Sequence, residues 1–326
     1  MQIVVADIGG TNARFALAEI EGGRVVSLGE PVTLPTDQFA SLETAWAAFA
    51  ARQSAPLPRA AALAVASPIR GDVIKFTNSP WVIHPALLDA RLGLDRHLLV
   101  NDFGAVAHAV AQADAGYFEH LCGPDQPLPA GAAVTVCGPG TGLGVAALVL
   151  GPSRYHILET EGGHMDWAPL DPLEDAILQR LRRQFTRVSA ERVASGPGLA
   201  ALYGAMAAIE GRAIAPPDDE LPIWKAAQDG SDPLAVAALD RFFLVLGAVA
   251  GDLALAHGAR AVVIAGGLGY RLRQRFAASG FAERFVAKGR FRDMMAAMPV
   301  KLITHPQPGL FGAAAAFAQL HAAAKP

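Results

Sequence analysis

The chain has 326 residues, 27 Lys and Arg against 30 Asp and Glu for a formal charge of −3, and a hydrophobic content of 52%. At about 150 residues per domain this length predicts roughly two domains, and so apolar a chain with so little net charge is not intrinsically disordered. The near-neutral balance without a long Lys/Arg run excludes a nucleic-acid reader, and the two cysteines, Cys122 and Cys137, make neither a disulfide framework nor a four-thiolate zinc site.

Met1-Gln2 leads directly into Ile3-Val4-Val5-Ala6 and Asp7, without the basic start or the apolar length of a signal peptide. This run ends in Ile8-Gly9-Gly10-Thr11-Asn12, and Ala13 to Ile20 is again strand-like, so a strand–turn–strand hairpin is predicted. Ala60 to Ala66 and His97 to Val100 are further strand candidates, the second running into Asn101-Asp102 and a helix over Phe103 to Ala113. Gly123 to Gly131 reads as a loop. Val134 to Cys137, the cluster Gly138-Pro139-Gly140-Thr141-Gly142-Leu143-Gly144 and Val145 to Leu150 then repeat the hairpin pattern. The two hairpins lie about 130 residues apart, which predicts a duplicated architecture of two related lobes with a cleft between them.

Leu173 to Phe185 carries Leu173, Ala176, Ile177 and Leu181 at helical spacing, and Ala213 to Pro222 is a second loop candidate. Phe242 to Leu268 is the most apolar long stretch, but Asp252, His257 and Arg260 interrupt it. A membrane helix needs ~20 residues nearly free of charge, so the stretch reads as a buried helix followed by a buried strand. That strand, Ala261 to Ala265, meets a third cluster, Gly266-Gly267-Leu268-Gly269, with a helix over Tyr270 to Phe276. The Ala-rich Phe311 to Ala324 is short for a span. Alternating strands and helices predict an α/β fold, in a soluble cytoplasmic protein with reduced thiols and neither a membrane nor a nucleic-acid partner.

Glycine turns expose main-chain N–H groups, and several that converge suit phosphate oxygens. None of the three clusters is a Walker A sequence or a dinucleotide fingerprint. A tight hairpin turn explains any one of them alone, yet three, each after a buried strand, favour a phosphate site. An acid such as Asp7 beside such a turn can hold Mg²⁺, directly or through water, or can simply form the turn. Asp102 follows a strand at the sheet edge where α/β proteins place ligands; it suits a general base for a hydroxyl and equally suits a helix cap. Asn101 beside it can donate to and accept from neighbouring hydroxyls. Glu161-Gly162-Gly163-His164 has the spacing of a di-iron motif, but two glycines oppose a helix there and no second copy exists, so the metal reading is rejected. A polyol site remains, with carboxylates accepting vicinal hydroxyls and an imidazole adding one bond, against a merely solvated loop histidine. Glu191 in Ser189-Ala190-Glu191-Arg192-Val193 also suits a helix's first turn, and the residues alone do not choose.

Asp7-Ile8-Gly9-Gly10-Thr11-Asn12-Ala13-Arg14, Gly138 to Gly144 and Ala265-Gly266-Gly267 closely resemble the phosphate and adenosine motifs of the bacterial ATP-dependent glucokinases. That family sits in the larger group of sugar kinases, actins and heat-shock chaperone ATPases, and the resemblance runs from Ile3 to about Ala316. It implies two ribonuclease-H-like, actin-like ATPase lobes around a central cleft. The smaller spans residues 1–110 and is completed by a C-terminal helix at about 305–326; the larger spans 111–304.

By the same resemblance ATP is the co-substrate, held by Ala6, Asp7, Ile8, Gly9, Gly10, Thr11, Asn12, Gly140 and Thr141, with Gly266 and Gly267 near the adenosine and Asp7 assisting Mg²⁺. Ala6 stands where relatives often carry glycine, which lowers ATP affinity only if a phosphate oxygen packs on that carbon. Leu99-Val100-Asn101-Asp102-Phe103, Glu161 to His164 and Ser189 to Val193 look like the sugar-site motifs. They imply Asp102 as catalytic base and Asn101, Glu161, His164 and Glu191 as holders of glucose hydroxyls. Asn78, in Phe76-Thr77-Asn78-Ser79-Pro80-Trp81, is a second-rank sugar contact. The zinc-binding cysteine cluster of the repressor/open-reading-frame/kinase group is absent from the sequence, which is similar to the other glucokinase branch. The resemblance further implies a homodimer that phosphorylates glucose at its 6-hydroxyl behind a closing cleft. The competing readings are a kinase for another hexose or amino sugar, a donor other than ATP (polyphosphate or ADP), and a sugar-responsive regulator or ATP switch.

Overall fold

The structure, a computed structural model, describes residues 1–76, 79–151, 154–212 and 220–322. The chain begins with β1 (Gln2–Ile8), β2 (Asn12–Glu21), β3 (Arg24–Leu28), β4 (Val32–Pro35), α1 (Leu42–Ala50) and β5 (Ala60–Val65). The short pair β6 (Ile74–Lys75) and β7 (Val82–Ile83), α2 (Leu88–Leu92), β8 (Arg96–Asn101) and α3 (Asp102–Gln112) follow. Next come β9 (Phe118–Cys122), β10 (Ala133–Pro139), β11 (Leu143–Leu150), β12 (Tyr155–Thr160), α4 (Pro172–Leu181), α5 (Gly196–Ile209), α6 (Leu221–Asp229) and α7 (Pro233–Ala256). The last are β13 (Ala261–Ile264), α8 (Gly266–Arg271), α9 (Phe281–Val286), α10 (Arg292–Ala296), β14 (Val300–Ile303) and α11 (Pro308–Ala322).

These elements form two compact units, one of Met1–Asp114, Ser153–Glu159 and His305–Pro326, the other of Ala115–Pro152 and Thr160–Thr304. In the first the sheet order is β3-β2-β1-β5-β8, with β4 also on β2. β1 is antiparallel to β2 and parallel to β5, and β5 is parallel to β8. β5 is buried along its whole length, as expected of a parallel strand covered on both faces. β1 shows why two cores arise: Val4, Ala6 and Ile8 enter a cluster with Trp46, Phe49 and Trp81. Ile3 and Val5 enter another with Leu310, Ala313 and Phe317 of α11. Side chains alternate across a strand, so one strand serves both faces. The Ala-rich tail is therefore a core helix. Its small residues bring it against α3, where a methyl group on Gly312 would come within 1.7 Å of the Ala105 carbonyl oxygen.

The return of 153–159 to the first unit departs from the continuous 111–304 span read from the sequence. Polar contacts hold it there. The Tyr155 hydroxyl lies 3.0 Å from His108 Nδ1, and its carbonyl accepts the Gln319 side-chain amide.

The second unit repeats the topology of the first. β10 is antiparallel to β11 and parallel to β13, β13 is parallel to β14, and β9 runs antiparallel at the far side of β14. α7 is long and apolar enough to cross a membrane by length and composition, but 72% of its most apolar window is buried within the protein. Its Phe243 meets Phe276 edge-on at 5.1 Å, and Phe276 meets Phe281 in the same way, an arrangement aromatic rings favour. Within this core Glu174 is 1% exposed and pairs with Arg241 and Arg284. Asp171, the N-cap of α4, joins the same two guanidinium groups. Burial pushes the Asp171 carboxyl up, but the Glu174 N–H and Arg241 outweigh it and hold its pKa below the usual value.

Two local expectations change. The third glycine cluster opens a helix, because α8 begins at Gly266 and gives way to a tighter turn over Arg273–Ala278. In the loop expected over Ala213 to Pro222, residues 213–219 lie outside the described residues, and Leu221-Pro222 start α6, proline being favourable in a first helical turn.

Candidate active site

The β1–β2 turn is closed by Gly9 N–H donating to the Asn12 carbonyl at 2.9 Å. Thr36, 2% exposed, pins the tip: its hydroxyl donates to the Gly10 carbonyl at 2.7 Å and its N–H to the Thr11 carbonyl at 2.9 Å. The carbonyls are thus tied back, while among the described residues no partner takes the N–H groups of Gly10 and Thr11. Donors presented this way suit an anion. The side chains of Ala6 and Ile8 are fully buried in the core, so only their main chain can face a ligand. The methyl of Ala6 therefore does no more than the strand requires.

Asp7 stands two residues before this turn. Its carboxylate is paired with Arg14, directly across the hairpin, at 3.4 Å. It also lies against Gly309 near the start of α11, where a methyl group would come within 2.6 Å of Oδ2. Burial raises the Asp7 pKa, and Arg14 opposes the rise. An acid of this kind, partly exposed and beside free amide donors, fits a divalent cation that takes its remaining ligands from phosphate and water.

Asp102 lies just past the carboxyl end of β8, on the first turn of α3. The cap is its neighbour: Asn101 Oδ1 accepts the N–H groups of Phe103 and Gly104 at 2.9 and 3.1 Å. Asp102 Oδ1 accepts the Phe103 N–H at 2.8 Å, and the residue is half-buried. The cap role that the sequence offered to Asp102 therefore falls to Asn101. Its carbonyl oxygen is committed, and its Nδ2 donates one N–H to the Ser67 carbonyl at 3.5 Å, which leaves the second N–H for a ligand.

In the second unit Glu161 precedes a tight turn over Gly162–His164. A methyl on Gly163 would come within 2.1 Å of the Leu143 carbonyl, so the glycine lets this turn lie on β11. The loop is stitched to the next one. Trp167 N–H donates to Val188, Ala190 N–H donates to Met165 at 2.8 Å, and Arg187 donates to the His164 carbonyl at 2.7 Å. This brings His164 Nε2 to 3.9 Å from Glu191 Oε1, with the imidazole 56% exposed and the carboxylate 28% exposed. The other Glu191 oxygen accepts the Leu143 N–H at 2.9 Å and lies over Gly142. Glu191 thus joins the acidic loop to the second glycine turn.

That turn is held by Gly140, whose N–H donates to Gly142 and whose carbonyl accepts Gly196 N–H, both at 2.8 Å. Beneath it two main chains touch. A methyl on Gly138 would come within 2.0 Å of the Ala265 carbonyl, and Gly266, at φ +84°, lies under the Pro139 carbonyl. Gly140 and Thr141 form one wall of a cavity of about 520 Å³, whose other walls include Trp224, Lys225, Gln228 and Arg271.

A family model described as Glucokinase matches residues 4–320. A glucokinase of Zymomonas mobilis subsp. mobilis is 58% identical over 318 residues, which cover 98% of each chain. The chain belongs to the glucokinase family. A glucokinase of Paramagnetospirillum magneticum is 45% identical over 96% of each chain. The crystal structure of a glucokinase from an Antarctic psychrotroph superposes with a TM-score of 0.84 at 36% identity, covering 97% of this chain and 98% of that one. As a member of the glucokinase family the chain is an enzyme, a kinase, and its α/β fold is that of the actin-like ATPases.

For a glucokinase-family chain, Asp102 and Asn101 stand together in the first unit, as do Asp7 and the Gly9–Asn12 turn. Glu161, His164, Glu191, Gly140 and Thr141 stand together in the second. Gly266 and Gly267 do not line the cavity, although Leu268 and Arg271 of the same helix do. Asn78 lies outside the described residues. The sequence reading missed Trp224, Lys225 and Gln228. Their helical spacing on α6 after a first-turn proline was the available signal.

Proposed function

We propose that this glucokinase-family chain transfers the terminal phosphoryl group of ATP to the 6-hydroxyl of glucose, with Asp102 as the base. The observation that supports this best is the half-buried carboxylate of Asp102 at the end of a parallel strand, beside an amide that already caps its helix. Phosphoryl transfer is loose and largely dissociative, so Asp102 chiefly orients the attacking oxygen and collects its proton late. The N–H groups of Gly10 and Thr11, with the Gly140-Thr141 turn, take the phosphate oxygens and the charge that develops there. Glu161, His164 and Glu191 accept sugar hydroxyls, and Asn101 donates through Nδ2. The cavity lined by Gly140, Thr141 and Trp224 accommodates the nucleoside. Asp7 fits Mg²⁺, which when bound neutralises charge on the terminal phosphates.

The free thiols of Cys122 and Cys137 suit the reducing cytoplasm where ATP and glucose meet, and a homodimer belongs to the same proposal. The test is a coupled assay over a panel of sugars and phosphoryl donors. Glucose with ATP should give the highest kcat/KM, and sugar-independent ATP consumption would instead identify a switch. Asp102→Asn should fold, bind glucose, and lose about 10²–10⁴-fold in kcat. Near-wild-type turnover would remove Asp102 from the reaction.

A further inference from the structure

Glu159 ends the short stretch that returns to the first unit, and although its side chain is exposed it is not a free surface charge. Its Oε1 accepts the main-chain N–H of Asn101 at 3.1 Å. Asn101 is the last residue of β8, the strand that ends the order β3-β2-β1-β5-β8, so its outer edge has no neighbouring strand within that sheet. The same carboxylate lies on the first turn of α3. A methyl group built on Gly104 would come within 2.3 Å of Oε1 and 2.9 Å of Cγ and Cδ, and all three of its nearest atoms belong to Glu159. A helix N-terminus favours negative charge there. At the other end of the stretch Tyr155 is fastened to His108 and Gln319.

We propose that Glu159 is a positioning residue for Asp102: it grips the Asn101 N–H through the space that Gly104 leaves open, and so fixes the strand-to-helix corner that carries the base. The inference rests on the reading of Asp102 given above. Asn101 secures this corner from within by capping α3, and Glu159 secures it from outside. Without that second hold the Asn101 N–H turns to water and the corner loosens, with its effect falling on the chemical step rather than on nucleotide binding.

Steady-state kinetics on Glu159→Ala, Glu159→Gln and Gly104→Ala, with Asp102→Asn alongside, test it. Glu159→Ala should lose about tenfold in kcat, less than the ~10²-fold that a 1 Å misplacement can cost. Its KM for ATP should stay within about twofold, the split that marks a loss confined to the transition state. Glu159→Gln keeps an oxygen acceptor and should restore most of the rate. Gly104→Ala should match Glu159→Ala, because its methyl displaces the carboxylate, and the double variant should be no slower than either single one. Full kcat in Glu159→Ala, or a Glu159→Gln as slow as the alanine variant, overturns the proposal. If Glu159→Ala does not fold, Gly104→Ala decides, and wild-type kcat there overturns it equally. Failure of the underlying reading shows separately, as wild-type turnover in Asp102→Asn.

Discussion

The two glycine turns sit on the same antiparallel–parallel–parallel strand pattern, yet they are built differently. The turn at Gly9-Gly10-Thr11 is pinned from one side by Thr36, keeps room around it, and has an ion pair, Asp7 with Arg14, at its root. The turn at Gly140-Thr141-Gly142 is wedged between Gly196 and Glu191 and rests on main-chain contacts that leave no space for a side chain at Gly138. The first turn commits its neighbourhood to charge and the second to shape. The cores differ in the same sense. Among the described residues the first unit's ion pairs are all partly exposed, whereas the second unit buries Glu174 between two arginines.

The sharpest way to break the comparison is at that buried carboxylate. Glu174→Ala leaves Arg241 and Arg284 sharing the partly exposed Asp171 alone and should cost up to about 3–5 kcal/mol, read as a fall in the denaturant midpoint. No single ion-pair substitution in the first unit should approach that. Next, Gly138→Ala should destabilise by about 1–3 kcal/mol or more, because its methyl meets an immovable carbonyl. Gly9→Ala should be tolerated, since its methyl would lie 3.5 Å from the nearest atom. Equal costs for the two variants would erase the distinction between the turns. Glu161→Gln should raise KM for glucose about tenfold, the loss of one charged hydrogen bond, and leave KM for ATP nearly unchanged. An equal rise in both would place Glu161 away from the sugar. The smallest effect concerns Asp7. Burial raises its pKa and Arg14 lowers it, so Arg14→Ala removes the opposing influence and leaves the carboxyl to titrate at higher pH. Because only the ionised form serves a cation, the acid limb of the pH–rate profile should move upward.

Both hairpins were legible because β-branched runs ending in glycine clusters have one economical solution. The buried helix and strand across Phe242 to Leu268 were legible from the charges that interrupt the run. Asn101 as the cap was not, since Asn and Asp suit that position alike and only the helix geometry separates them. The start of α8 at Gly266 was hidden for a related reason: glycine reads as a turn, and its actual cause is the Pro139 carbonyl against it, 127 positions away in sequence. β14, Val300–Ile303, lies between Pro299 and Thr304 and shows no alternation, because every residue in it is buried. The cavity joins Thr141 to α6 across about 80 residues, and no local pattern encodes such a meeting.

The docking of α11 on α3 and the first sheet has a consequence for how the protein is made. The face formed by Ile3, Val5 and Ala62 is covered by α11 residues that leave the ribosome only after the whole intervening unit, about 250 residues after Ala62 and about 310 after Ile3. At ~5–20 residues per second that delay is about 12–60 s. Throughout it these strands present an apolar surface not yet covered by α11, the kind that chaperones bind and that nascent chains aggregate through. The closing of this core therefore waits on its most distant partner in the chain.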